Sequence, residues 1–260
     1  MAIDGFRAEQ HDAFVAFDPE VAERTFRRID RVGRALKLDI RGLENVPRTR
    51  ALLVANHAFG WDVAFLMAAH WRARHEPLWA LGEHLWWRVP FLRRIAAAVG
   101  TVDGTQDNVD RLLARDQQVI VLPGGLREAV KPATLRYQLL WGRRYGFVRA
   151  AIRHQAPIVP VASVGTDELF DFVGDAYRRG RRWTGRDLPI PFPSRVLPIP
   201  HLAHVTFVVG EPIAPPAASC ADDVAAVKRF RREVAGGLHE LIENELARRA
   251  GIDLGGDPPA

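Results

Sequence analysis

Residues 51–70 read ALLVANHAFGWDVAFLMAAH, and the fold turns on how that passage divides. Ala51 to Ala55 form a short apolar run bounded by polar Asn56 and His57, with the length and composition of a strand buried on both faces. Residues 61–74 read as helix. A strand that passes through a loop into a helix is half of a βαβ unit, and such sheets gather ligands at the carboxyl ends of their strands. His57 is expected at that edge, with Asp62 near the start of the following helix.

Outward from this unit, LKLDI, LWALG, VGTV, QVIVL, PIVPVA and HVTFVVG read as further strands. Helical stretches fall between them near 84–97, 106–116, 144–154 and 222–248. The alternation predicts an α/β fold: a single domain with a central, mostly parallel sheet of about seven strands flanked by helices. Before it, PEVAERTFRRIDRVGRAL (19–36) spaces Val21, Phe26, Ile29, Val32 and Leu36 at helical intervals among arginines. This amphipathic helix fits either a core-packed or a membrane-surface element. The expected organisation is an N-terminal helical segment over 1–35, the main domain over 36–250 and a disordered tail over 251–260. The proline-rich interval DLPIPFPSRVLPIPHL (187–202) reads as an extended rim segment.

A chain of 260 residues, 48% hydrophobic, can bury one sizeable core. Cys220 is the only cysteine, which excludes an intramolecular disulfide, and MAIDGFRAEQ lacks a secretory pattern, so a cytoplasmic protein is expected. No apolar run reaches the roughly eighteen residues a spanning helix needs. The net charge of +5 implies anionic partners. Nucleic acid is not expected among them, for no helix-turn-helix, zinc-ligand or RNA-binding signature is present. Nearly all the basic charge is arginine; Lys37, Lys131 and Lys228 are the only lysines.

Five residues of turn let Asp62 fold back onto one imidazole nitrogen of His57, fixing the tautomer and leaving the other nitrogen as a base. A helix-capping aspartate beside a surface histidine, or a metal site, are the alternatives. Ser163, Ser194 and Ser219 are the only serines, none lies in a Gly-x-Ser-x-Gly elbow, and Cys220 has no catalytic context. The histidine must then activate a substrate hydroxyl or water. In VIVLPGGLREA (119–129), an apolar strand ends at Pro123, and Gly124 and Gly125 allow a tight turn that presents amide N–H groups to an oxyanion, with Arg127 as a forked cation.

NHAFGWD resembles the N-H-x4-D block of the glycerolipid acyltransferase superfamily, LPGGLREA its F-P-E-G-T-R block, and APIVPVASVG its last, proline-bearing block, in the same order. Residues 143–170 are most similar to the branch of diacylglycerol and monoacylglycerol acyltransferases and phytyl-ester-forming enzymes, where P-G-G replaces P-E-G. The resemblance implies acyl transfer from a thioester donor, acyl-CoA or acyl-ACP, to a lipid hydroxyl without an acyl-enzyme and without a cofactor or metal. It implies His57 as general base and Asp62 as its support. Gly124, Gly125 and Arg127 would contact acceptor or oxyanion, with Asn56, Pro123 and Pro160 supporting.

Glycine at 124 in place of glutamate, no evident arginine in AVGTVDGTQ, and Asp103 in that neighbourhood favour a neutral glycerolipid or long-chain alcohol as acceptor. The alternatives are a phosphorylated acceptor, a thioesterase-like hydrolase, or a non-catalytic lipid-binding protein. In EHLWWRVPFLRR, Trp86, Trp87 and Phe91 among arginines suit the interface of an anionic bilayer, or else a helix that turns its aromatics into the core. A peripheral location on the inner face of the membrane is expected.

Overall fold

Strand pleating decides which side chains enter which core. Along β2 (Ala51–Ala55), Leu52 and Val54 enter one apolar cluster while Ala51, Leu53 and Ala55 enter another, so the strand is covered on both faces. The computed structural model describes residues 16–58, 61–83, 87, 90–169, 175–185 and 204–252. Its other strands are β1 (Asp39–Arg41), β3 (Trp79–Gly82), β4 (Thr101–Asp103), β5 (Gln118–Val121), β6 (Ile158–Val164) and β7 (Thr206–Val209). They form one seven-stranded sheet in the order β1-β7-β6-β2-β5-β3-β4. Every neighbouring pair is parallel except β6 and β7. Each strand falls on a segment that the sequence marks as β-like, and the chain forms a single α/β domain.

The helices among the described residues are α1 (Pro19–Ala35), α2 (Trp61–Arg74), α3 (Pro90–Ala98), α4 (Gln106–Ala114), α5 (Gly125–Ala129), α6 (Gly146–His154), α7 (Ala176–Thr184) and α8 (Val224–Arg249). Phe26 from α1 and Phe65, Leu66 and Trp71 from α2 pack on one face of the sheet. Leu112 and Leu113 from α4, Val148 and Ile152 from α6, and Phe230, Val234 and Leu238 from α8 pack on the other. Each such side chain contributes about 1.5–3 kcal/mol on leaving water.

The N-terminal amphipathic helix is therefore a core element. Asp18 caps it by accepting from the N–H groups of Glu20 and Val21, and its apolar face meets α2, where Trp71 Nε1 donates to Glu23 at 2.8 Å. Its arginines face outward because the opposite stripe is used for packing. At the far edge, Glu245 of α8 accepts from Arg41, Arg248 and Arg249. Burial would raise that carboxyl, yet the three guanidiniums bring it down to about 2. The proline-rich interval and the tail from 253 lie outside the described residues.

Candidate active site

β2 ends at Ala55, and the next two residues leave the sheet with different tasks. Asn56 is fully buried and clamps β6: its Nδ2 donates to Ser163 O at 2.8 Å, and its Oδ1 accepts from Ser163 N at 2.7 Å. That reciprocal pair fixes the loop on which His57 stands.

His57 Nδ1 lies 2.8 Å from Asp62 Oδ2. The same carboxylate oxygen accepts the N–H of Ala58 at 2.7 Å, while Oδ1 accepts that of Val63 at 2.8 Å. A carboxylate only accepts, so Nδ1 carries the proton and Nε2 is the basic nitrogen. No described residue bonds Nε2, and the ring keeps 15% of its surface exposed while the Asp62 side chain has none. Asp62 also sits in the first turn of α2, where unpaired N–H groups favour a negative charge. Burial lowers the imidazole pKa, but the charge and hydrogen bond of Asp62, aided by Glu128, outweigh both burial and Lys131, and the net shift is upward from 6.5.

The main chain of His57 is held as firmly as its ring. Glu128 Oε1 accepts its N–H at 2.7 Å, and Oε2 accepts the N–H of Leu140 at 2.7 Å. Lys131 Nζ donates to its carbonyl at 3.0 Å and to Asp167 Oδ1 at 2.8 Å. Asp167 Oδ2 in turn accepts the N–H of Tyr137 at 2.7 Å, and the Tyr137 hydroxyl donates to Glu168 at 2.5 Å. Burial drives the Glu128 and Asp167 carboxyls upward, with Lys131 the main opposing influence on each. Glu128, Lys131, Tyr137, Asp167 and Glu168 are the residues that sequence reasoning missed. Lys131 is one of three lysines in an arginine-rich chain, but Lys37 and Lys228 are exposed, so rarity alone does not mark it.

The glycine turn differs from expectation. Gly125, at φ +52°, needs the left-handed freedom of glycine, but its N–H returns to Leu122 O at 2.9 Å and is not offered to a ligand. Gly124 keeps the one N–H of the pair that has no acceptor among the described residues. The Pro123 carbonyl is capped by Arg144 at 2.6 Å, and the Arg127 guanidinium lies over the Tyr177 ring at 4.9 Å. Pro160 stands opposite Val54 in the sheet, short of the level of His57, and packs against Gly210 and Gly237. It shapes the strand and takes no place at the carboxyl edge. Asp103 ends β4, three strands from β2, or about 14 Å at ordinary strand spacing, so it does not stand over His57.

The aromatic segment divides. Trp87 is 8% exposed and belongs to the interior, which corrects its expected membrane contact: its indole is covered by protein. Phe91 is 71% exposed on α3, with Ile95 one turn further at 42%. Trp86 lies outside the described residues. No described helix is long and apolar enough to cross a membrane.

The fold and the His57–Asp62 geometry define an α/β protein with a hydrogen-bonded histidine–aspartate pair at the carboxyl edge of a mostly parallel sheet. The Acyltransferase family model matches residues 37–164, so that part of the chain carries an acyltransferase-family domain. An uncharacterised protein of Mycobacterium tuberculosis is 31% identical over 232 residues, covering 84% of this chain and 64% of the relative, so this chain spans under two thirds of that relative's length. The chicken "DGAT1/2-independent enzyme synthesizing storage lipids" is 30% identical over 47% of this chain and 37% of its own. The mouse "Acyl-CoA wax alcohol acyltransferase 2" is 30% identical over 52% of this chain and 45% of its own. The crystal structure of the 1-acyl-sn-glycerophosphate acyltransferase PlsC from Thermotoga maritima shares the fold, with TM-score 0.53 and 17% identity over 85% of this chain and 80% of that one.

Proposed function

We propose that this protein transfers a fatty acyl group from a thioester donor to the hydroxyl of a neutral lipid, a partial glyceride or a long-chain alcohol. The observation that carries the reading is the 2.8 Å contact of His57 Nδ1 with buried Asp62, beside an Nε2 with no partner among the described residues. Nε2 takes the proton of the acceptor hydroxyl as its oxygen attacks the thioester carbonyl. The tetrahedral intermediate then collapses, the C–S bond breaks, and the imidazolium returns its proton to the leaving sulfur. Asp62 stabilises the imidazolium between those steps.

Two observations support a neutral acceptor. Two of the similar proteins are named as a storage-lipid enzyme and a wax alcohol acyltransferase, whereas PlsC, named for a phosphorylated acceptor, is similar in fold alone. Among the described residues, the charged groups acting on the His57 ring are the carboxylates of Asp62 and Glu128 and one cation, Lys131, which is already committed to Asp167 and a carbonyl. A phosphate brought to the same place would meet more repulsion than attraction. Contact with an anionic membrane surface is part of the proposal, supported by exposed Phe91 and Ile95 beside exposed Arg94 on α3.

The test is a competition assay with long-chain acyl-CoA and paired acceptors, diacylglycerol or hexadecanol against lysophosphatidate, read as a ratio of kcat/KM. A ratio favouring the neutral acceptor is expected. Preference for lysophosphatidate, or release of free fatty acid regardless of acceptor, would overturn the reading.

A further inference from the structure

The backbone of Gly124 does not explain why it is glycine. Its φ of −67° and ψ of −27° suit any residue. A Cβ at that position, however, would lie 2.0 Å from Glu128 Oε2 and 2.4 Å from Glu128 Cβ, far inside contact distance. The side chain of Glu128 fills the volume that any side chain at 124 would need. It uses that position to bond two main-chain N–H groups, those of His57 and Leu140, one with each oxygen. One of them carries the proposed base, and the other lies in the segment between α5 and α6.

We propose that Glu128 is the positioning residue for His57: a carboxylate set one helical turn beyond the glutamate of P-E-G chains, for which Gly124 supplies the space. The assignment rests on His57 being the base. Glu128 reaches His57 from the segment after β5, so it ties together the loops at the carboxyl ends of two adjacent strands. A carboxylate accepts two N–H bonds at once with charge assistance, which no neutral side chain reproduces with both atoms. Holding the peptide of His57 holds the origin of its side chain, and a displacement on the order of 1 Å at a reacting group costs about 10²-fold in rate. The glutamate missing at 124 is therefore not a lost acceptor contact, because a carboxylate already occupies that space from position 128.

The charged groups facing His57 are Asp62 from α2, Glu128 from α5 and Lys131 just beyond it, with Asp167 behind the lysine. Glu128→Gln keeps the shape but leaves one N–H facing an amide nitrogen that cannot accept. Expected are a fall in kcat of about 10- to 100-fold with donor KM nearly unchanged, and a His57 imidazole that titrates at lower pH, because a neighbouring negative charge has gone. The imidazole is followed by NMR on histidine-labelled protein, with His57→Ala to assign the signal. That reading is independent of turnover, so it distinguishes failure of the clamp from failure of the acyl-transfer reading.

Gly124→Ala, which pushes the carboxylate aside, should reproduce both effects. The pair Gly124→Ala with Glu128→Ala should cost less than the two single changes summed. If Glu128→Gln does not fold, Gly124→Ala and the double variant carry the same comparison. A folded Glu128→Gln with unchanged kcat and unchanged His57 titration, or strict additivity in the double variant, would overturn the proposal.

Discussion

Lys131 donates to the main-chain carbonyl of His57 at 3.0 Å while Glu128 accepts the N–H of the same residue at 2.7 Å, so two residues three apart grip one residue from both sides. The lysine is nearly sealed, with 3% of its side chain exposed against 4% for its partner Asp167. Removing it leaves a carboxylate buried without a counter-charge. Lys131→Met is expected to destabilise the fold by about 3–5 kcal/mol, and Lys131→Met with Asp167→Leu by much less. Urea unfolding of the single and double variants measures both; equal losses would show that the pair is not coupled.

His57→Ala should lower turnover by about 10² to 10⁴, the range for a positioned general base, with thioester binding little altered. Asp62→Asn keeps the shape and removes the charge that favours the imidazolium, so its loss should be similar or smaller. Single-turnover kinetics on folded variants reads the chemical step; near-native rates for His57→Ala would refute its role.

The pH dependence follows from the upward shift of His57. A base works only when neutral, so kcat/KM should fall as pH drops through a value above 6.5, and Asp62→Asn should move that limb to lower pH. Stability runs the opposite way. The imidazolium attraction to Asp62 is fully present below the unfolded value near 6.5 and is lost as pH rises through the raised folded pKa. Melting temperature against pH for wild type and Asp62→Asn tests the second statement without reference to activity.

On α3, replacing Phe91 and Ile95 by Ser should weaken binding to vesicles containing phosphatidylglycerol and leave the melting temperature unchanged, because both side chains are exposed. Rising salt should weaken wild-type binding as well, since attraction between exposed charges is screened over about 10 Å at 0.1 M. Flotation assays read both effects; salt-independent binding retained by the double variant would remove α3 from the membrane-facing surface.

The strands were legible because a buried parallel strand needs an unbroken apolar run, and ALLVA, QVIVL and IVPVASV have nothing else to be. His57 and Asp62 were legible because five residues suffice to bring them together. Glu128 and Lys131 were not, because their partners lie far away in sequence and the run REAVK looks like any solvated helix end. The five-residue α5 is too short to show a period. In α7, AYRRGRRWT gives arginine at four of nine positions, and the helix is marked chiefly by Asp175 capping Tyr177 and Arg178. Trp87 misled because a tryptophan beside arginine is written the same way whether the ring faces lipid or core.

The antiparallel strand that closes the sheet carries a consequence for synthesis. Among the described strands β1 pairs with β7 alone, Asp39 opposite Thr206, so during synthesis it has no such neighbour until Thr206–Val209 has been made. β2, β5, β3 and β4 draw on residues close to one another and are expected to assemble first, since short separations cost the least loop entropy. Until β7 arrives, the nascent chain exposes one edge of β6, a strand apolar except at Ser163, the kind of surface that recruits a second copy. Truncation before Val209 should therefore yield aggregates, even though it leaves His57, Asp62 and Glu128 untouched.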